Sequence, residues 1–141
     1  MTKSTAPRLG DAHAEFILKY FPTLNSGCEY ILNAWPGIVK RTLADLSGQF
    51  TAGELSLIID VFNGTRLTSG LAGQHLEVQV TDGIDLDRLD KKWDVSPDDI
   101  IAKIRGLSIF QAAVLEIWAN GFWYGKNQPK QDLEKYIREL S

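Results

Sequence analysis

The stretch SIFQAAVLEIWANGFWY, residues 108–124, decides the predicted fold. Apolar side chains recur in it at i, i+4, i+7 and i+8, the spacing that places them on one stripe of a helix. This stripe consists of Phe110, Val114, Ile117 and Trp118. Apolar residues also fall outside the stripe, so the helix is apolar nearly all round and is expected to lie inside the domain. Ser108 and Gln111, spaced as a capping box, predict where it begins.

Shorter helices are predicted on both sides of this central helix. Thr51 and Glu54 form a second capping box, and Ser96 followed by Pro97 is a typical helix start. Pro36 is expected to begin a helix of its own and to end the one before it. The remaining predicted helices span about 11–21, 25–35, 36–48, 51–63, 70–84, 85–93, 96–106 and 130–140.

Residues 70–84 fit two patterns. One is a helical face, formed by Ala72, Leu76, Val80 and Ile84. The other is the alternation of a strand, because Leu76, Val78 and Val80 are spaced by two. A lone strand finds no partner elsewhere in the sequence, so a helix is predicted. The chain is therefore expected to be all-α, a single compact multi-helix domain over 1–141, with a flexible arm at 1–9 and a C-terminal helix within 126–141 that packs back.

Composition limits the classes of function. The chain has 141 residues and a net charge of −3, which argues against broad, charge-driven binding to nucleic acid or to anionic lipid. Cys28 is the only cysteine, so no intrachain disulfide forms, as suits a reducing compartment. No signal peptide or membrane span is evident, since 108–124 is short and carries Glu116. A cytoplasmic protein without membrane contact is predicted.

An acidic segment at 82–99 holds seven Asp against three basic residues, for a net charge of −4. Its spacing does not match a calcium loop, because Leu89 and Asp90 occupy positions that need a ligand and a glycine. A solvated helix face is the preferred interpretation. It is one predicted partner surface, together with the aromatic residues that end the central helix. The candidate partner-contacting residues are Asp82, Asp85, Asp87, Asp90, Trp123 and Tyr124.

Few residues are candidates for catalysis or for metal binding. His75, Gln79 and Asp82 lie at i, i+4 and i+7 and could point one way, but zinc needs three or four good ligands and His13 is the only other histidine. Cys28 is interpreted as a small buried apolar residue rather than a nucleophile. We therefore predict no catalytic residue, no metal and no cofactor. A metal-dependent enzyme using His75 and Asp82 is kept as an alternative.

Two segments resemble DNA-binding motifs. AKIRGLS, residues 102–108, resembles the small-residue turn of a helix-turn-helix, in which two helices cross closely. A recognition helix must offer polar side chains to base edges, however, and Ile109 and Phe110 at these positions are expected to be buried. A tightly turned helical pair in the core is therefore preferred.

The second segment is 5–35, an arm, a helix, the turn FPTLN and a second helix, which resembles a ribbon-helix-helix regulator. The resemblance implies a dimer whose paired arms enter the major groove, although Pro7 would remove one ribbon hydrogen bond. It also implies that the start of the second helix holds a phosphate. The residues that would contact DNA are Lys3, Thr5, Arg8, Asn25, Ser26 and Gly27.

Segments 48–64, 82–95 and 106–123 together resemble a group of small bacterial helical proteins. This resemblance implies a shared helical domain and no particular reaction. The leading functional prediction is a non-enzymatic interaction or regulatory protein that binds a protein partner or itself. The alternative is a dimeric DNA-binding regulator that uses 5–35.

Overall fold

The computed structural model describes residues 10–63, 73–124 and 131–140, and every element in these ranges is a helix. The all-α prediction is confirmed. No helix in these ranges is both long and apolar enough to cross a membrane. The helices are α1 Asp11–Tyr20, α2 Leu24–Ser47, α3 Ala52–Val61, α4 His75–Asp87, α5 Leu89–Lys92, α6 Pro97–Arg105, α7 Ile109–Tyr124 and α8 Leu133–Arg138.

Contacts divide the chain into two compact units, Met1–Ile38 and Val39–Ser141, which are described separately. They are called unit 1 and unit 2. The prediction of one domain over 1–141 stays a prediction, and the arm at 1–9 lies outside the described residues.

The helix α2 corrects one boundary, because Pro36 lies inside it and neither ends nor begins a helix. Proline removes one backbone donor, and its ring crowds the carbonyl four residues earlier, here that of Leu32. Pro36 and Leu32 are both exposed, so water can satisfy that carbonyl. The prediction of two helices, over 25–35 and 36–48, was therefore wrong.

Unit 1 consists of α1 and the first part of α2. Its described residues bury few side chains, of which Ile17 is the large one. Ile17 and Phe21 lie against Gly27, where an added Cβ would come within 2.3 Å of the Ile17 side chain and 3.0 Å of the Phe21 ring. Glycine at 27 thus allows α1 to approach α2 closely. The Phe21 and Tyr30 rings pack beside this crossing, with centroids 5.5 Å apart.

Unit 2 is built around α3, in which every residue from Glu54 to Ile59 is buried. Helices α4, α5, α7 and α8 all pack against α3. The core comprises Leu46, Phe50, Leu55, Leu57, Ile58, Ile59, Phe62, Leu76, Val80, Leu89, Val95, Ile100, Ile104, Ala112, Leu115, Trp118, Ala119, Phe122 and Leu140. Helix α3 is thus the most completely covered helix of the described unit.

Helix α7, predicted to lie at the centre, contributes a buried face and also an exposed apolar one. Its buried residues are Ala112, Val114, Leu115, Glu116, Trp118, Ala119 and Phe122. Ile109, Phe110, Ile117 and Tyr124 are exposed. The expected stripe through Phe110, Val114, Ile117 and Trp118 was therefore only half right, because two of its four members face outward.

Several local predictions are confirmed. The Thr51 hydroxyl accepts from the Glu54 amide at 3.1 Å, while the Glu54 carboxylate accepts from the Thr51 amide at 2.7 Å. Ser108 and Gln111 make the same reciprocal pair at the start of α7. The segment 70–84, whose sequence fits both a helix and a strand, is helical from His75 onward, and 70–72 lie outside the described residues.

The boundary predicted between 84 and 85 was wrong, because α4 continues to Asp87. It ends at Arg88, which takes a left-handed conformation with φ of 54°. The Arg88 amide donates to the Gly83 carbonyl, in place of a helical bond to residue 84. Leu89 then begins the short helix α5 and is buried in the core.

A buried carboxylate fixes the start of α4. Glu116 of α7 is only 1% exposed. Its Oε1 accepts from the amides of His75 and Leu76 at 3.0 and 2.9 Å, and its Oε2 accepts from the Gly73 amide at 2.9 Å. The N-cap residue Gln74 makes no side-chain capping bond. Glu116 therefore caps a helix more than 40 residues away in sequence, and the positive end of the α4 dipole stabilises its charge.

Helix α8 covers part of α7 through one tyrosine. The Tyr136 ring stacks on Trp118 with centroids 5.2 Å apart and lies 5.3 Å from Phe122. The Tyr136 hydroxyl donates to the Trp118 carbonyl. Burial raises the pKa of Tyr136 to about 12, and the nearby Glu139 carboxylate adds to the effect.

We expect the Glu116→Ala variant to lose about 3 kcal/mol of unfolding free energy, because buried amides left without an acceptor cost about 1–3 kcal/mol each. The measurement is urea unfolding followed by circular dichroism. Glu77→Ala, which removes a partly exposed carboxylate that pairs with Arg105 at the same helix end, serves as the control and should lose about 1 kcal/mol or less. Equal losses in the two variants would contradict the capping role.

The second stability prediction concerns pH. The folded pKa of Tyr136 lies above the unfolded value of 10.0, so its neutral hydroxyl stabilises the fold below pH 10. This stabilisation should disappear between pH 10 and about 12, as the unfolded tyrosine ionises first. Tyr136→Phe should be less stable than wild type by about 1 kcal/mol at neutral pH. Urea unfolding across this range should show the difference shrinking, and a constant difference would contradict the assignment.

Candidate functional site

The acidic partner surface predicted at 82–90 lies on α4 and α5. Asp82, Asp85 and Asp87 are exposed, whereas Asp90 is half-buried and lies 3.9 Å from the Arg88 guanidinium. Asp82 and Asp87 border a cleft of about 460 Å³ between the end of α3 and helices α4 and α5. The structure thus brings two of the four predicted carboxylates to one cleft.

The cleft also holds polar groups that were not singled out from the sequence. Asp60 lies in its wall, together with the amide side chains of Asn63 and Gln79. The Asp60 Oδ2 accepts from Lys92 Nζ at 2.7 Å and from the Trp93 indole N–H at 3.0 Å. These two bonds tie α5 to α3 and occupy one oxygen of the Asp60 carboxylate. The main role of Asp60 is therefore structural, because it holds α5 against α3 beside the cleft.

The metal alternative started from His75, Gln79 and Asp82, which all lie on α4. His75 is half-buried, and its Nε2 atom is buried with no hydrogen-bond partner among the described residues. Residues 10–63, 73–124 and 131–140 contain no group of three or more His, Cys, Asp or Glu placed to hold a metal ion. His75, Gln79 and Asp82 therefore lie on one helix, but the described residues around them do not add the further ligands that a metal site needs.

The aromatic end of α7 is divided between core and solvent. The Trp123 indole N–H donates to the Ile59 carbonyl at 2.9 Å, and its ring packs edge-on against Phe122. Tyr124 is 54% exposed. Of the two predicted partner-contacting aromatics, Trp123 therefore serves mainly to join α7 to α3, and Tyr124 alone presents its ring to solvent.

The turn between α6 and α7 departs from what its sequence predicted. Ile109 and Phe110 were expected to be buried, and both are exposed, at 66% and 44%. Gln111, the polar residue of the first turn, has its amide oxygen bound to the Ser108 N–H. The start of α7 therefore presents apolar side chains, whereas reading base edges needs polar groups.

The ribbon-helix-helix residues divide into two groups. Lys3, Thr5 and Arg8 lie outside the described residues. Asn25, Ser26 and Gly27 lie in the first turn of α2, which begins at Leu24, and the side chain of the preceding Thr23 caps this turn.

The Ser26 amide donates to the Thr23 hydroxyl, and the Gly27 amide donates to the Thr23 carbonyl. Two of the three amides proposed for a phosphate are therefore already bound within the chain. The DNA-binding hypothesis stays a prediction, and the described geometry adds no support to it.

A surface that the sequence analysis missed lies on unit 1. Eight large apolar side chains of α1 and the first part of α2 are exposed, and we call them the helix-pair surface. They are Phe16, Leu18, Tyr20, Leu24, Tyr30, Ile31, Leu32 and Ile38. The sequence predicts helices over 11–21 and 25–35 but does not assign the apolar faces of these helices to core or to solvent. Periodicity identifies such a face but does not say whether the same chain covers it.

Neither a family model, nor a curated protein, nor a solved structure matches the chain. The resemblances drawn from short segments thus stay predictions.

We expect Asp60→Ala to destabilise unit 2 by about 1–3 kcal/mol, because it leaves the Trp93 indole N–H without its acceptor and releases Lys92. Asp82→Ala, an exposed carboxylate of the same cleft, is the matched control and should change stability by about 0.5 kcal/mol at most. Urea unfolding followed by Trp fluorescence measures both. A loss confined to Asp82→Ala would contradict the anchoring role of Asp60.

Proposed function

We propose that this chain is a non-enzymatic, cytoplasmic interaction protein that binds its partner through the helix-pair surface. The observation that carries the proposal is the distribution of exposed apolar side chains. Eight of them lie among the 29 described residues of unit 1, against six in the much longer described part of unit 2. Concentrated apolar exposure of this kind marks a site of association.

The chemistry of the surface fits an apolar partner. Between Leu24 and Ile38, Glu29 is the single charged residue. Two pairs of aromatic rings, Phe16 with Tyr20 and Phe21 with Tyr30, are already packed at centroid distances of 5.3 and 5.5 Å. Aromatic side chains that are held in place lose little conformational entropy on binding and make good anchors. A salt-sensitive, charge-driven partner such as nucleic acid fits this surface poorly.

The energetic reason for association is the cost of leaving such side chains in water. Burying a large apolar side chain contributes about 1.5–3 kcal/mol. Phe16, Tyr20, Tyr30 and Leu32 are each about 60% exposed or more, so most of that contribution is still unused in the free chain. A partner that covers them recovers it. The cytoplasmic location is supported by the single cysteine, Cys28, which needs no oxidising compartment.

The proposal predicts that a photo-reactive amino acid in place of Leu32, in cells that make the protein, captures a polypeptide. The same amino acid in place of Leu86, which is 78% exposed but lies in unit 2, is the matched control. Capture at position 32 should fall at least tenfold when Ile31→Lys is added, since a charge in an apolar contact must be desolvated. Equal capture at the two positions, or capture unaffected by Ile31→Lys, would contradict the proposal.

A further inference from the structure

We infer that Asn63 is a site of spontaneous deamidation, in which its side-chain amide becomes a carboxylate in the wall of the acidic cleft. This is the cleft that is lined by Asp60, Asp82 and Asp87 as well as by Asn63. The co-reactant is water. The site belongs to unit 2 and does not depend on the helix-pair surface.

Asparagine followed by glycine occurs twice in the sequence, at Asn63-Gly64 and at Asn120-Gly121. In this order the backbone nitrogen of the glycine can attack the asparagine side chain. Glycine favours the attack because it has no Cβ to block the approach and because its backbone is the least restricted of all residues. The two pairs have the same reacting groups, so their surroundings decide which of them reacts.

The reaction replaces one amide by a carboxylate and conserves all atoms. The Gly64 nitrogen gives its proton to water and bonds to Cγ of Asn63. The C–N bond of the side-chain amide then breaks, and its nitrogen takes up a proton and leaves as ammonia. Water adds to the resulting succinimide ring and opens one of its two C–N bonds, which gives aspartate or isoaspartate. The sum is one water consumed and one ammonia released, without oxidation or reduction.

The pair at Asn120 is held inside α7, which runs from Ile109 to Tyr124. At this depth in a helix the glycine nitrogen donates to the carbonyl four residues earlier, and ring closure would have to break that bond. The side-chain oxygen of Asn120 is buried, and a Cβ at Gly121 would come within 2.9 Å of the Tyr136 hydroxyl. Reaction at Asn120 therefore requires local opening of a helix that contributes to the core.

Asn63 has different surroundings. Helix α3 ends at Val61, and Asn63 lies two residues beyond it, with an exposed side chain. The Asn63 amide donates to the Asp60 carbonyl at 3.1 Å, so this residue immediately follows the last turn. Its Cγ is open to water. Because Asn63 is outside the helix, the reaction does not require α3 to unfold.

The product places a further negative charge where it is unfavourable. A carboxylate at position 63 joins those of Asp60, Asp82 and Asp87 around one cleft, and like charges repel. It also lies at the C-terminal end of α3, where the helix dipole is negative. Isoaspartate in addition inserts a carbon into the main chain, directly after the helix against which α4, α5, α7 and α8 pack. Deamidation at Asn63 is therefore expected to weaken unit 2 as the protein ages.

The first experiment incubates the full chain in mildly alkaline buffer and follows both sites by mass spectrometry. Trypsin releases Asn63 and Asn120 on separate peptides, 42–66 and 106–126. Asn63 should convert at least about tenfold faster than Asn120, which reacts only in the small open fraction of α7. In concentrated urea the two rates should approach each other, because no helix then protects either site. A sample digested at the start measures conversion during digestion.

The second experiment tests the consequence by urea unfolding. Asn63→Asp should unfold at a lower urea concentration than wild type, and the shift should shrink at high salt because the cause is electrostatic. Asn33→Asp adds the same charge to an exposed position of α2 in unit 1 and is the matched control, expected to leave the unfolding of unit 2 unchanged. Aged wild type should shift in the same direction, whereas aged Asn63→Gln should not, because glutamine would have to close a six-membered ring.

Two kinds of result would overturn the inference. Equal conversion at Asn63 and Asn120 in the folded chain, or no conversion at Asn63, would refute the modification site. An Asn63→Asp variant as stable as wild type, or an equal shift in Asn33→Asp, would refute the effect of the new carboxylate on unit 2.

Discussion

The structure of unit 2 depends on one buried carboxylate. Glu116 lies in the middle of the most apolar segment of the chain, and its oxygens accept hydrogen bonds from three backbone amides at the start of α4. A buried charge is costly, and here the cost is offset because charge, hydrogen bonds and helix dipole all act at one point. Gly73, with φ of 82°, lets the chain present its amide to this carboxylate. The contact fixes the position of α4 relative to α7.

The position of α4 in turn forms the acidic cleft. Helix α4 carries Asp82 and Asp87 to one side of it, and α3 carries Asp60 to the other. The bonds from Asp60 to Lys92 and Trp93 then hold the short helix α5 in place. Because of these bonds, we assign the acidic cleft a structural role, although it is lined with carboxylates. Its most enclosed acid is already paired, and the remaining two are exposed.

Unit 1 differs from unit 2 in how many of its apolar side chains are buried. Its two helices make one close crossing at Gly27 and leave most of their large apolar side chains exposed. A unit built in this way gains little from burial by itself, since small helical elements need more covered apolar surface to be stable. In the proposed interaction role, association supplies the missing coverage. The interaction role proposed for this protein therefore rests on the incomplete burial of apolar side chains in unit 1, whereas unit 2 has a packed core.

The sequence by itself determined the helical class, the capping boxes at Thr51 and Ser108, and the helical spacing of the apolar residues, because these depend on contacts within a few positions along the chain. Only the tertiary structure decided which apolar faces are covered. Ile117 and Trp118 are neighbours in one apolar segment, yet one is exposed and the other is buried beneath Tyr136. It also decided the role of Glu116, whose partners lie some 40 residues away. Periodicity carries no information about contacts between distant segments. Those contacts determine whether an apolar face is covered in the core or left exposed for binding.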